Sequence, residues 1–126
     1  MEGQALQPAG VTTPKAPYSP IVVSGDLVLT ARQVAFDTEG NIVSDEIEAQ
    51  ARQVFDNLRR CLEAAGSTVG EVVKVNAFLT DFDDFETYND VYRRYFSALY
   101  PARTTVPADL APVLRIEVEA MARRRS

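Results

Sequence analysis

The sequence predicts an α+β domain in which two helices cover one face of a mixed β-sheet. Two long stretches carry apolar residues at helical spacing, and short runs rich in Val and Ile precede, separate and follow them. The predicted element order is β-β-α-β-α-β-β. Because helices alternate with strands in the middle of the chain, some strand pairs must be parallel, and both helices can then lie on the same face.

The chain begins with a segment that predicts no regular structure. Residues 1–16 contain several Pro and Gly residues, and we interpret them as an irregular lead-in to a single domain over residues 17–126. Residues 21–23 and 27–31 then predict a β-hairpin around a Ser-Gly-Asp turn. The second of these strands is expected to continue to about Phe36.

The first helix is predicted to begin at Ser44, a good N-cap residue that acidic residues follow. Gly66 is the predicted C-terminal stop. The apolar residues between them recur at spacings of three and four and predict the buried stripe of the helix. This stripe consists of Ile47, Ala51, Val54, Leu58, Cys61 (or Leu62) and Ala65.

The second half of the chain predicts a strand, a helix and two further strands. Alternating apolar residues, beginning with Val73, indicate a strand over residues 72–80. Asp81, Asp83 and Asp84 follow it; they could suggest a metal site, but capping of a helix that runs to about Phe96 explains them better. The last two strands are predicted near residues 104–108 and 114–122. One sheet face then stays bare, which predicts subunit packing there.

Composition excludes several classes of function. The 126 residues carry a net charge of −5, which argues against a nucleic-acid partner because phosphate neutralisation needs a basic face. No apolar run approaches the ~20 residues that span a bilayer, so no membrane association is expected. The single cysteine allows no internal disulfide, and the N-terminus does not have the pattern of a signal peptide. We therefore expect a cytoplasmic protein.

The sequence contains no histidine, which removes His-dependent nucleophilic catalysis and His metal sites. No metal site is predicted, and acid–base chemistry falls to Asp, Glu, Tyr, Lys or the substrate. An anion-binding cation must be Arg or Lys, and Arg103, two residues after Pro101 at a strand start, is the best candidate. The alternative is a structural ion pair at that position.

The last strand is expected to lie beside Arg103 and to supply carboxylates. Strand alternation places Arg115, Glu117 and Glu119 on one face of it. The alternative is a solvated row of charges in which Arg115 pairs with the two glutamates.

Several short motifs occur together in an order and spacing that are specific. They are Ala-Pro-Tyr-Ser at 16–19, Glu-Ala-Ala-Gly at 63–66, Tyr-Pro-Ala-Arg at 100–103 and Ile-Glu-Val-Glu-Ala at 116–120. From about residue 14 to residue 124 the chain resembles the Rid family (YjgF/YER057c/UK114, or endoribonuclease L-PSP). The resemblance implies a chorismate-mutase-like fold and a homotrimer with active sites in clefts between subunits. It also implies cofactor-free hydrolysis of enamines and imines such as 2-aminoacrylate to 2-keto acids and ammonia.

The resemblance implies roles for individual residues as well. Arg103 matches the arginine that binds the substrate carboxylate, a role that bidentate guanidinium geometry suits. Glu117 matches the glutamate that positions or activates water. Tyr18 and Asn89 match residues that line the pocket. Thr105 falls where deaminases often carry a cysteine whose backbone contacts the substrate.

One motif departs from the family pattern. Deaminases of the family usually read Ser-Gly-Gln where this chain reads Ala31-Arg32-Gln33. Ala31 therefore brings no hydroxyl to the substrate, and Arg32 is either a second anion contact or a surface cation paired to an acid. Besides the imine deaminase, two alternatives stay open: a non-catalytic trimeric module that binds a small carboxylate, and a specialised enzyme for a different imine. RNA cleavage, also attributed to the family, is disfavoured by the net negative charge of the chain.

Overall fold

The structure is a computed structural model that describes residues 3–125. Six strands and two α-helices follow one another along the chain, and two single 3-10 turns, Val69–Glu71 and Phe82–Asp84, precede β4 and α2. The elements are β1 Gln4–Leu6, β2 Ile21–Ser24, β3 Leu27–Thr30, α1 Ile47–Ala64, β4 Val72–Leu79, α2 Phe85–Tyr95, β5 Ala102–Pro107 and β6 Ile116–Arg123. Within the described residues, neither helix is long and apolar enough to cross a membrane.

All six strands form one sheet in the order β1-β2-β3-β6-β4-β5. The β4–β5 pair is parallel and the other neighbouring pairs are antiparallel. The chain crosses from β4 to β5 through α2, as a parallel pair requires. The predicted mixed sheet with two helices is therefore confirmed.

The core lies between the two helices and one face of the sheet, which we call the helix face. Every predicted residue of the α1 stripe from Ala51 to Ala65 is buried. Phe55 of α1 meets Tyr88 and Tyr92 of α2 with ring centroids 6.2 and 5.8 Å apart. Cys61 is fully buried in this core, and burial raises the pKa of its thiol to about 12.

The opposite side of the sheet, which we call the open face, is not covered by either helix of residues 3–125. Its residues alternate along each strand with the buried residues of the helix face. The apolar residues of the open face are half-buried or exposed, and each strand from β2 to β6 contributes at least one of them. They are Val22, Leu27, Leu29, Phe78, Val106 and Met121.

The first segments of the chain differ in two ways from the prediction. The expected irregular lead-in contains one regular element, β1, in which Ala5 pairs with Val22. The boundary at residue 16 stays a prediction. The predicted second strand ends at Thr30, well before Phe36, because the chain then leaves the ladder and forms an isolated bridge between Gln33 and Val118.

Helix α1 begins at Ile47, three residues later than predicted. The Ser44 hydroxyl does accept a backbone hydrogen bond, from Glu46 N–H at 3.0 Å, but the contact closes a turn before the helix and does not cap it. The other end follows the prediction. Gly66 has φ +78°, the left-handed conformation in which a glycine ends a helix without a steric cost.

A β-bulge near the start of β4 changes the predicted alternation. Val72 pairs with Ala122 and Lys74 with Met121, so Val73 is the extra residue and is exposed. From Val75 onward the alternation follows the prediction. Strand β5 starts earlier than predicted, at Ala102, and therefore includes Arg103.

Two buried polar side chains fix the connection from β5 to β6. The Gln50 amide donates to the carbonyls of Ser44 and Val113, both at 2.8 Å, and its oxygen accepts from Arg115 N–H at 2.8 Å. Asp84 is buried and accepts two hydrogen bonds from the Arg115 guanidinium at 2.9 and 2.8 Å. Arg115 thus pairs with the 3-10 turn that precedes α2, and it does not pair with the glutamates of β6.

Candidate functional site

Arg103 lies on the helix face at the outer edge of the sheet. It stands beside Val75 in the parallel β4–β5 register, so its side chain turns toward α2. Its guanidinium donates to Asn89 Oδ1 at 2.8 Å. The guanidinium carbon lies 4.9 Å from the ring centroid of Tyr92 and 5.1 Å from that of Tyr88, within cation–π range.

No carboxylate in the described part of the chain neutralises the charge of Arg103. Among residues 3–125, no Asp or Glu forms an ion pair with it. Burial raises the pKa of Tyr88, and it raises the pKa of Tyr92 to about 12, so both phenols stay neutral. A guanidinium has five N–H donors. Most of them remain available here to a bound anion.

A cavity of about 300 Å³ opens beside Arg103. The loop that follows α2 forms one wall of the cavity, and α2 itself forms the other. It is lined by Asn89, Tyr92, Arg93, Tyr100, Pro101 and Arg103.

Thr105 lies two residues further along β5 on the same face. Its hydroxyl donates to the Tyr88 hydroxyl at 3.3 Å, which ties it to the aromatic residues under Arg103. The structure therefore brings Arg103, Asn89 and Thr105 together, as the predicted pocket requires. Their roles toward a substrate stay predictions.

Glu117 lies on the open face. It pairs in register with Phe78 of β4, and its side chain is 15% exposed. Burial raises the pKa of its carboxyl group, and Arg32 opposes this rise. A raised pKa makes the carboxylate a stronger base near neutral pH.

Arg32 lies over the same part of the open face. Its Nη1 is 3.7 Å from Glu117 Oε1, and its Nε is 3.7 Å from Glu119 Oε1. Its guanidinium carbon lies 3.6 Å from the centroid of the Phe78 ring. These contacts are those of a cation paired to acids, one of the two roles left open for Arg32.

Tyr18 and Ala31 lie beside the segment that carries Arg32. Tyr18 is 55% exposed. Ala31 N–H donates to the Pro20 carbonyl at 2.8 Å, and the Ala31 carbonyl accepts from the Gln33 amide at 3.1 Å. A second cavity, of about 390 Å³, lies between this segment and the N-terminal residues. Tyr18 and Arg32 line it, together with Val11, Thr12, Thr13, Pro14, Lys15, Ala16, Pro20, Gln33, Val34, Phe36, Gly40 and Asn57.

Within one chain the candidate residues form two groups on opposite sides of the sheet. Arg103 faces the helices and Glu117 faces away from them, and β4 separates their strands. The expectation that the last strand lies beside Arg103 is therefore wrong within one protomer. The cause is the sheet order, because β6 pairs with β4 and β3 while β5 occupies the edge.

Four contributors to these two groups were not found from the sequence. Phe78 packs against the Arg32 guanidinium. Its position on the same strand face as Lys74 and Asn76 could have indicated an aromatic residue outside the core. Tyr88 and Tyr92 support Arg103, but their helical spacing indicated only a core role. Asn57 donates to the Val34 and Phe36 carbonyls at 3.0 and 2.9 Å and so fixes the segment after Arg32.

The acidic residues between β4 and α2 act structurally. Asp81 accepts a hydrogen bond from Asp83 N–H at 2.9 Å and so caps the 3-10 turn that precedes α2. The predicted capping of α2 itself is wrong, because Asp84, its N-cap residue, makes no capping hydrogen bond with its side chain and accepts from Arg115 instead. Across residues 3–125, no three His, Cys, Asp or Glu side chains stand close enough together to hold a metal ion.

Comparison with known proteins matches almost the whole chain. Residues 10–124 match the family described as endoribonuclease L-PSP. A 2-iminobutanoate/2-iminopropanoate deaminase of Salmonella typhimurium is 40% identical over 113 residues, covering 86% of this chain and 88% of that protein. The mitochondrial protein mmf2 of Schizosaccharomyces pombe is 42% identical over 110 residues, 84% of this chain and 86% of its own. The crystal structure of E. coli TdcF with bound serine superposes with a TM-score of 0.90 at 31% identity, covering 97% of this chain and 99% of that one.

Proposed function

Since the chain belongs to the endoribonuclease L-PSP family, also called the Rid family, we propose that it hydrolyses small imines that carry a carboxylate. The products are a 2-keto acid and ammonia. The observation that carries the proposal is Arg103, an arginine without a carboxylate partner among residues 3–125 that lies at a cavity sized for a small molecule. A relative 40% identical is named as a deaminase of such imines, which supports the same chemistry here.

The proposed mechanism assigns one step to each group. Arg103 binds the substrate carboxylate through two N–H donors, as guanidinium groups bind planar anions. An enamine first tautomerises to the imine. Glu117 orients a water molecule and accepts a proton from it as the oxygen bonds to the imine carbon. Glu117 passes this proton to the nitrogen, which gives a carbinolamine. The C–N bond then breaks as the hydroxyl proton is transferred through Glu117 to the nitrogen, so that ammonia leaves and the carbon becomes the keto carbon.

This mechanism needs a second copy of the chain, because one protomer holds Arg103 and Glu117 on opposite sides of the sheet. We propose a homotrimer in which the open faces pack together and the clefts between subunits hold the complete sites. The half-buried apolar residues of the open face support this assembly. In each cleft, one subunit would supply the anion-binding group and its neighbour the water-positioning group, so a single protomer would have no complete site.

The binding-module alternative stays relevant because of Ala31. The serine hydroxyl of the usual family motif is absent, and the related TdcF structure contains a bound amino acid, serine. Ribonuclease activity is less favoured, since the net charge of −5 opposes binding of a polyanion. The cytoplasmic location stays a prediction, because one similar chain is named as mitochondrial.

The test of the function is an imine-hydrolysis assay. An amino-acid oxidase or lyase generates 2-aminoacrylate or related imines, and loss of the imine is followed with and without the protein. Arg103→Ala should lower kcat/KM by at least about 100-fold, because each of the two charge-assisted hydrogen bonds to the carboxylate contributes about 1.5–3 kcal/mol.

The matched control is Arg94→Gln, which removes an exposed cation that pairs with Glu48 on the helices. This variant should hydrolyse imines at the wild-type rate. If Arg103→Ala is as fast as wild type, the carboxylate anchor lies elsewhere. If wild type accelerates no imine but a thermal shift shows keto-acid binding that Arg103→Ala loses, the non-catalytic module is correct.

A further inference from the structure

We propose that Arg32 is a positioning residue that fixes the orientation and the negative charge of the Glu117 carboxylate. This inference rests on the proposed function, in which Glu117 holds the attacking water. It concerns the motif in which this chain departs from its family. Arg32 stands where the deaminases usually carry a glycine, which has no side chain to pair with a carboxylate.

The geometry holds the Arg32 guanidinium over β6, which carries Glu117, and over the neighbouring strand β4. Phe78 lies beneath it at 3.6 Å, and the carboxylates of Glu117 and Glu119 lie beside it, each at 3.7 Å from a different guanidinium nitrogen. These contacts involve both β4 and β6. Among residues 3–125, Val113 is the one non-glycine residue with positive φ, so the backbone at position 32 does not require glycine.

No other cation of the described chain pairs with Glu117. On its own strand the charged neighbour is Glu119, and Arg115 is bonded to Asp84. On β4, Phe78 stands next to Glu117 and is uncharged, and on β5 the next residue along the same row is Val106. Lys74 of β4 donates to Thr104 of β5 at 2.9 Å. Within one protomer, Arg32 is therefore the cation that pairs with this half-buried carboxylate.

The charge balance argues against the other role of Arg32, a contact to a second substrate carboxylate. One guanidinium and two carboxylates give the Arg32–Glu117–Glu119 cluster a charge of about −1 when all three are ionised. An additional anion would be repelled by both glutamates. Arg32 is thus suited to orient Glu117, which binds the water, while Arg103 binds the substrate carboxylate.

The test compares two variants with opposite expected effects on the pH profile of kcat/KM. Arg32→Gln removes the compensating cation, so the Glu117 pKa rises and the acidic limb moves to higher pH. On that limb kcat/KM should fall by about two- to fivefold, the factor for an ion pair worth about 0.5–1 kcal/mol. Glu119→Gln leaves Arg32 with a single carboxylate partner, so the acidic limb should move to lower pH.

Arg59→Gln is the matched control, because Arg59 is equally exposed, at 47%, and pairs with Asp56 on α1. Its acidic limb should coincide with that of wild type. The inference is overturned if Arg32→Gln and Glu119→Gln move the limb in the same direction. It is also overturned if Arg32→Gln slows only imines with two carboxylates, since Arg32 would then bind substrate.

A second readout separates this inference from the proposed function. The carboxyl carbon of Glu117 can be titrated by ¹³C NMR, with Glu117→Gln used to assign the signal. The midpoint should rise in Arg32→Gln even if the protein hydrolyses no imine. An unchanged midpoint in an active enzyme overturns the role of Arg32 and leaves the deaminase proposal intact.

Discussion

Glu117→Gln replaces the proposed water-holding carboxylate with a neutral amide of nearly equal size. We expect kcat to fall by about 10²- to 10⁴-fold, the usual contribution of a general base. KM should change little, because Arg103 still binds the carboxylate. Steady-state kinetics with an oxidase-generated imine measure both constants. Glu48→Gln, at an exposed ion pair on the helices, should have wild-type kinetics; equal losses in the two variants would contradict the role of Glu117.

For single residues, the sequence motifs identified candidate site residues, but they did not predict which side chains would contact them. The Tyr-Pro-Ala-Arg motif indicated Arg103, and the absence of histidine left few other anion-binding groups. No motif indicated that Tyr88 and Tyr92 would support its guanidinium, because aromatic residues at helical spacing are equally typical of a core. The partner of Arg32 also could not be predicted, since ion pairs depend on strands distant in sequence.

Gly66→Ala tests the end of α1. The glycine has φ +78°, and an added Cβ would meet only the Arg124 side chain, at 3.8 Å, so the cost is conformational. We expect the free energy of unfolding to fall by about 1–2 kcal/mol. Chemical denaturation followed by circular dichroism measures this change. Gly70→Ala, at a glycine without positive φ, should stay within about 0.5 kcal/mol of wild type. A similar loss in both variants would refute the conformational explanation.

At the scale of elements, periodicity predicted the centres of the helices and the core strands, while local contacts shifted their ends. Ser44 closes a turn before α1 and does not cap it, and the bulge at Val73 exposes a residue that alternation would bury. Strand β5 includes Arg103 because its parallel pairing with β4 extends to Ala102. Such tertiary pairings do not affect the local periodicity of the sequence, so the ends of helices and strands are less predictable than their centres.

Leu29→Glu tests the assembly of the whole molecule. The residue is half-buried on the open face beside Met121, and a carboxylate there would oppose packing of a second copy. Light scattering should give wild type a mass near three times 13.9 kDa and Leu29→Glu the mass of one chain. The variant should also lose imine hydrolysis. Ala64→Glu, exposed on α1, should keep the wild-type mass, and a monomeric wild type would contradict the proposed trimer.

At the scale of the whole molecule, the sequence predicted the two-layer architecture but not the order of the strands. Placing β6 between β3 and β4 sends β5 to the edge and divides the candidate residues between the two sides of the sheet. The sequence motifs identified these residues but did not indicate on which face of the sheet each of them lies. Only the register of β5 on β4 and of β6 on β4 reveals the division.

The buried thiol of Cys61 supplies a means of measuring stability without denaturant. It is the single cysteine of the chain, and burial raises its pKa to about 12, so a thiol reagent near neutral pH should react only after the core opens. When reclosing outpaces the chemical reaction, the labelling rate reports the population of open molecules. Each variant proposed above could then be ranked by its labelling half-life under the same conditions in which its kinetics are measured.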